Sequence, residues 1–527
     1  VVFLANMGVK RGAVAAGDGE TARAAAEVLK SGGNAFDAVL AGLFASTIAE
    51  PVLSSLGGGG FLLAQPKDGP PILYDFFAHT PRRNLGREPD EVDFHPVIAD
   101  FGTVTQEFHI GMGAIATPGI VRGAFEVHRD LGSIPMQDII TPAIELARHG
   151  FNLSPLQAYI FDIVEPIYMA TPACRAQYAS PTNPDVLIRA GEQMCVPIKA
   201  DFLDALAREG DDLFYRGEVA ATVARDCEDL GGHLDRADFE RYEVMKRAPL
   251  AIAFEGSRIL TNPPPSVGGI LVAFALHLIG DTGLEKLGFG SFAHLERLAR
   301  VMALSNQARV ESGLNLHPQD GAEILLDPDF LERYRAEVLG QPASHRGTTH
   351  ISVIDRDGNA ASMTVSNGEG SAYIAPNTGV VFNNMLGEED INPKGFHQWA
   401  SDTRMSSMMA PSLIQRPDGL MVALGSGGSN RIRTAILQVI LAVLEFDVHV
   451  EEAVQLPRIH FERGLLNVED GFGEGVCAEL SQTFDQVKLW DDRNLFFGGV
   501  HAVEYNAATG ALTGGGDPRR GGVALVV

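Results

Sequence analysis

Cysteine is scarce in this 527-residue chain: Cys174, Cys195, Cys227 and Cys477 are its only four. They lie far apart, with no CxxC and no histidine at ligand spacing. This excludes a disulfide scaffold and the common zinc motifs, and leaves free thiols in a reducing compartment as the expectation. Long apolar runs are missing too. The best stretch, Ala35 to Leu56, is interrupted by Asp37 and Glu50 and so falls short of the roughly 18 apolar residues a membrane-spanning helix needs. Basic side chains are outnumbered, 41 against 67 acidic ones, giving a formal net charge of −26. With no Lys/Arg run to offset that sign, nucleic acid and anionic membranes are excluded as main partners. No repeat of fixed period and no low-complexity tract occurs. The opening VVFLANMGVKRG lacks a basic segment ahead of its apolar start. The expected compartment is the cytoplasm, or the periplasm if a leader has been removed.

With 45% hydrophobic and 20% charged residues, the composition is that of a globular chain, long enough for two to four ordinary domains or one large layered domain. Ala22, Ala25, Ala26 and Leu29 follow helical spacing up to a stop at Ser31-Gly32-Gly33, and Asn34 is placed to cap a second apolar helix. The run Gly57 to Gly60 then leads into FLLAQ, a predicted strand. Helix, glycines, strand is the reverse of a phosphate-binding loop, and no GK[ST] follows, so the glycines are read as letting helix and sheet backbones approach closely. Helical spacing dominates from Pro135 to about Met245, and again over Gly269 to Ile279 and Phe292 to Arg309. From Thr348 onward the chain turns to short β-branched runs, THISVID, AASMTVS, GVVFNN and LMVALGS, with one strong helix from Arg431 to Leu444. A helix-rich first two thirds and a strand-rich last third suggest a sheet covered by helices.

The clearest local pattern is GTTHISVIDRDGNAASMTVS. A three-residue loop, Arg356-Asp357-Gly358, with Gly358 left-handed, pairs Asp355 with Asn359, sets Thr348 beside Ser366 and puts His350 opposite Thr364. A two-residue Asp-Gly turn would instead send Ser366 to the other face. Paired hydroxyls on strands are usually structural. A threonine in mid-chain is also a poor nucleophile, but as residue one of a polypeptide it has its own α-amine as base. That requires a cut between Gly347 and Thr348, which spacing alone does not reveal.

The segments SGGNAFDAVLAG, EPVLSSLGGGGFLL, ATPGIVRGAFEVH, NPPPSVGGI, GTTHISVIDRDGNA, the RMSSMMAPS run, GSGGSNRI, PRIHFE and DPRRGG occur in one order along the chain. In these the chain resembles the γ-glutamyltransferase (glutathione hydrolase) family of N-terminal nucleophile hydrolases. The resemblance implies an α+β fold, a four-layer αββα sandwich. It implies a zymogen that cuts itself before Thr348 into segments 1–347 and 348–527, which together form one domain and a heterodimer, with a pair of heterodimers as a further option. Gly347 suits the strained geometry of such a cut. Thr348 is then the nucleophile of an acyl transfer from an amide to water or an amine acceptor, without a cofactor or metal, and Ser366 is the hydroxyl that hydrogen-bonds it. Gly427 and Gly428 match the glycines whose N–H groups stabilise the oxyanion; alignment on Arg431-Ile432 moves the pair to Gly428-Ser429. Ser406 and Ser407 match serines that hold a donor α-carboxylate. Asn384 and Glu388 match the amide and acid that bind its α-amine, with Glu389 as the alternative acid.

One departure stands out in LYDFFAHTPRR. Family members acting on glutathione carry an arginine after the DF pair, as a clamp for the α-carboxylate; here that position is Phe77, and His79, Arg82 and Arg83 are out of register. A phenyl ring cannot supply the bidentate recognition of a guanidinium. Two expectations therefore stand beside a γ-glutamyl donor: an acylase on glutaryl or aromatic-acyl amides, like a cephalosporin acylase, or a catalytically silent scaffold. His350 and His460 are read as structural.

Overall fold

The computed structural model describes residues 10–83, 86–100, 105–280, 284–336 and 348–527. Two antiparallel sheets form its centre. The first runs, edge to edge, through Val523–Val526, Gly12–Ala16, Thr349–Asp355, Ala360–Ser366, Gly59–Gln65, Ile72–Phe76 and Met245–Arg247. The second runs through Ala511–Gly515, Gly499–Asn506, Leu420–Gly427, Ser412–Gln415, Ser257–Thr261 and Leu250–Phe254. Both sheets draw strands from before and after residue 348. The strand-rich last third is thus completed by strands from the helix-rich part.

Helices Gly19–Lys30 and Ala35–Ala49 cover the outer face of the first sheet. The first begins at Asp18, whose carboxylate accepts from the Glu20 N–H, and the second begins in a reciprocal capping box between Asn34 and Asp37. All 15 residues of Ala35–Ala49 are buried, which is why its sequence carries no polar face. Helices Gly268–Ile279 and Arg431–Leu444 cover the second sheet, completing the αββα order. Strand alternation sorts side chains between layers. Along Thr349–Asp355, Ile351 and Val353 join the helix-side core, whereas His350 and Ser352 enter the space between the sheets.

The hairpin has the expected register: Thr349 pairs with Val365 and His350 with Thr364, around Gly358 at φ +91°. The four glycines also behave as expected, except that the neighbouring backbones belong to strands and loops. A Cβ on Gly57 would meet the Phe382 Cα at 2.7 Å, one on Gly59 the Ala78 N at 2.7 Å, and one on Gly60 the Thr364 O at 2.6 Å; one on Gly58 would collide with the Ser366 carbonyl. No helix among the described residues is long and apolar enough to cross a membrane.

Candidate active site

One step beyond the Thr349–Val365 pair, Thr348 and Ser366 lie at adjacent strand ends, both nearly buried. They line one cleft with Phe77, Glu388, Ser406, Ser407 and Ser429. Residues from six separate stretches of sequence thus line one cleft. The Ser366 Oγ accepts from the Gly368 N–H at 3.0 Å, and the Thr348 carbonyl accepts from Arg520 Nη1 at 3.3 Å. Gly347 lies outside the described residues.

The glycine turn sits against the same carbonyl. Gly427 closes the strand Leu420–Gly427 opposite Gly499, and Gly428 and Ser429 follow with φ of +114° and +53°. Two consecutive left-handed residues bend the backbone into a concavity suited to an anion. Ser429, rather than Gly427, lines the cleft.

The segment Ser406–Met409, which also lines the cleft, is pinned to the chain ahead of helix Gly268–Ile279. The Ser407 carbonyl accepts from Val267 N–H at 2.8 Å and Ser266 Oγ at 2.9 Å, and the Ser407 Oγ accepts from the Met409 N–H. Glu388 comes close to Gly368, where a side chain would collide with its carboxylate. Glu389 faces away from the Thr348 cleft, into a neighbouring cavity. Asn384 is fully buried and does not line the cleft; its amide accepts from the Glu369 N–H at 2.8 Å and donates to the His109 carbonyl at 3.3 Å. Phe77 stacks on Phe61, with ring centroids 5.4 Å apart, and shares the wall with Met385, Met408 and Met409. Arg82 pairs with Asp402 and Arg83 with Asp235, leaving that wall apolar.

His350 is bonded to Thr364 and Ser352, each at 2.8 Å, and burial holds it well below its ordinary pKa, so it is neutral. His460 lies between Thr434 and Glu462. Both are held as structural residues. Among the described residues no group of three or more His, Cys, Asp or Glu is placed to hold a metal.

Sequence reasoning missed a buried acid beside Thr349, the residue after Thr348. Glu50 accepts from Thr349 Oγ1 at 2.6 Å and Thr21 Oγ1 at 2.8 Å, and burial, aided by Asp18, pushes its pKa up to about 7. Its signal was the E of EPVLSSL, whose partner stands 299 positions away. A raised folded-state value means that the proton stabilises the fold: that stability is complete below the unfolded value of 4.5 and is lost as pH rises through about 7. Glu50→Gln should therefore flatten the fall in melting temperature from pH 5 to pH 8, an effect on the order of 3 kcal/mol. An unchanged pH profile in the variant would count against this assignment.

Comparison with known proteins places these features in a wider set. Residues 21–527 match the family described as gamma-glutamyltranspeptidase. The chain is 29% identical to the glutathione hydrolase proenzyme of Pseudomonas aeruginosa, over 98% of this chain and 94% of that protein. It is 27% identical to the acylase ACY 1 proenzyme of Pseudomonas sp. strain V22, with the same coverage of 98% and 94%. Its fold is similar to that of the cephalosporin acylase from Bacillus halodurans, with a TM-score of 0.81 at 22% identity over 100% of this chain and 99% of that one.

Proposed function

The chain belongs to the gamma-glutamyltranspeptidase family, and from that premise we propose that it is an amidohydrolase and acyltransferase that matures by a cut between Gly347 and Thr348 and works through an acyl-enzyme on Thr348. The observation that carries this reading is the convergence of Thr348, Ser366, Glu388, Ser406 and Ser407 on one cleft. The two segments, 1–347 and 348–527, stay together as a heterodimer because each sheet contains strands from both.

Thr348 Oγ attacks the amide carbonyl while its freed α-amine takes the hydroxyl proton. The carbonyl oxygen becomes an oxyanion, held by backbone N–H groups of the Gly427-Gly428-Ser429 turn. Collapse breaks the C–N bond, the proton passes to the leaving amine, and an ester remains on Thr348. Water or an acceptor amine then attacks the ester by the same steps in reverse. Ser366 orients the Thr348 hydroxyl; Ser406, Ser407 and Glu388 bind the polar end of the acyl half.

A second reading concerns the acyl group and rests on Phe77. With a phenyl ring and three methionines on the wall where a carboxylate clamp would act, the cleft favours a glutaryl or aromatic acyl group over γ-glutamyl. The test is a panel of γ-glutamyl, glutaryl and aromatic-acyl anilides on processed protein. The non-glutamyl acyl groups should lead in kcat/KM by about tenfold or more, and Phe77→Arg should shift the ratio toward γ-glutamyl. Efficient turnover of glutathione by the unaltered protein would overturn the argument from Phe77.

A further inference from the structure

The Thr348 cleft shares Asn315, Asp390 and Met408 with an adjoining cavity of about 310 Å³, whose wall carries Arg309, Asn430 and Arg463. Arg309 stands on the last turn of helix Phe292–Glu311 and is only 8% exposed. Its Nε has no hydrogen-bond partner, and it forms no ion pair among the described residues. The carboxylate whose field reaches it, Glu462, is engaged by His460 at 2.8 Å and by Arg433 at 3.6 Å. Asn430, 3% exposed, likewise has an unpartnered amide oxygen. A guanidinium withdrawn from water without a counter-ion is costly, and the cost is recovered when an anion enters. Arg463 adds a second, exposed positive charge to the same cavity, which Glu389 and Asp390 also line, Asp390 on the side shared with Thr348.

We propose that this cavity is the subsite for the amine half of the amide, and that Arg309, assisted by Arg463, binds a carboxylate carried on that half. The inference rests on Thr348 being the nucleophile, because the lining shared with the Thr348 cleft gives the cavity its role. The leaving amine departs past Asn315, Asp390 and Met408, and an acceptor amine enters by the same route. A planar guanidinium suits a carboxylate through paired hydrogen bonds, and the Asn430 amide supplies a further polar contact. In this arrangement the acyl half is selected by an apolar wall and the amine half by charge.

The test uses processed protein and the acyl group that the anilide panel identifies. Amides of that acyl group with glycine and with glycinamide differ only in the carboxylate. The unaltered protein should favour the glycine amide by about tenfold or more in kcat/KM, the range of a charge-assisted hydrogen bond shielded from water. In Arg309→Gln that ratio should fall to near one, mainly through KM, and in the exposed-site variant Arg463→Gln it should fall part of the way. A ratio near one in the unaltered protein, or one undiminished in both variants, overturns the proposal. Should Arg309→Gln fail to mature, the unaltered protein and Arg463→Gln still decide the matter. Turnover without carboxylate preference would sink this inference alone; no turnover of any acyl amide would sink the assignment of Thr348 with it.

Discussion

Thr348→Ala protein will remain a single uncut species of 56.3 kDa under denaturing conditions and will show no turnover, a loss on the order of 10⁴-fold or more. In the unaltered protein, intact mass should resolve two pieces, of 347 and 527 − 347 = 180 residues. Both losses follow from one atom. In the proposed mechanism the Thr348 hydroxyl attacks the preceding carbonyl in the precursor, and the cut then frees the amine that serves as its base on substrate. The surroundings supply no substitute: Ser366 accepts the Gly368 N–H, His350 is neutral and committed to Thr364 and Ser352, and Glu50 is committed to two threonines. Thr348→Ser keeps the hydroxyl and should retain cleavage at reduced rate, which separates loss of chemistry from loss of fold. Cleavage or turnover surviving in Thr348→Ala would move the nucleophile elsewhere. An unaltered protein that never matures would instead favour a silent scaffold.

What could be read beforehand was local. The Asp355–Asn359 turn fixes its hairpin because the loop geometry dictates the register, and Asn34 announces its helix because the capping groups are three residues apart. Other strands gave no such signal. Gly12–Ala16, GAVAA, is buried on both faces and so lacks alternation, and its ladder joins residues such as Gly12 and Asp355 across most of the chain. Leu250–Phe254 and Ser257–Thr261 passed unrecognised inside a stretch dominated by helices. GVVFNN, expected as a strand, pairs in a two-residue strand over Val380–Val381 and then makes a single bridge from Phe382 to Gly57, after which the Asn383 side chain bonds the Gly57 and Ala116 carbonyls.

The site divides in the same way. The resemblance pointed to Ser406, Ser407 and Glu388, and the cleft brings these residues together. It also pointed to Asn384, which the fold uses to hold backbone. Arg309, Arg520 and Glu50 were invisible because their meaning lies in what surrounds them: a missing counter-ion, a carbonyl 172 positions away, a buried pair of threonines. Charge burial is a property of packing, and no spacing in the sequence encodes it.

A comparable loss is expected at Gly427, where the constraint is space rather than backbone angle. A Cβ there would lie 2.9 Å from the Thr348 carbonyl carbon and collide with its oxygen, and neither atom belongs to a side chain that could swing away. Arg520 tightens the constraint. Its side chain crosses Gly499, the ladder partner of Gly427, where a Cβ would meet Arg520 Cδ at 2.5 Å, and it ends on the same Thr348 carbonyl. The two glycines thus form a slot that lets the guanidinium reach the backbone of Thr348. Gly427→Ala must push Thr348 and the following turn apart by roughly 1 Å, and displacement on that scale costs on the order of 10²-fold in rate when reacting groups lose alignment. Both maturation and kcat should fall by that factor, with little change in KM, because the residues proposed to bind the acyl half come from other segments of the cleft lining. Gly475→Ala is the control: it lies in helix Glu474–Thr483 with no atom within 4 Å of the new methyl group, so activity should be unaltered and stability equal or up to about 1 kcal/mol higher. If Gly427→Ala matures and turns over at the rate of Gly475→Ala, the close approach at Thr348 is packing without catalytic consequence, and the oxyanion role of this turn fails with it.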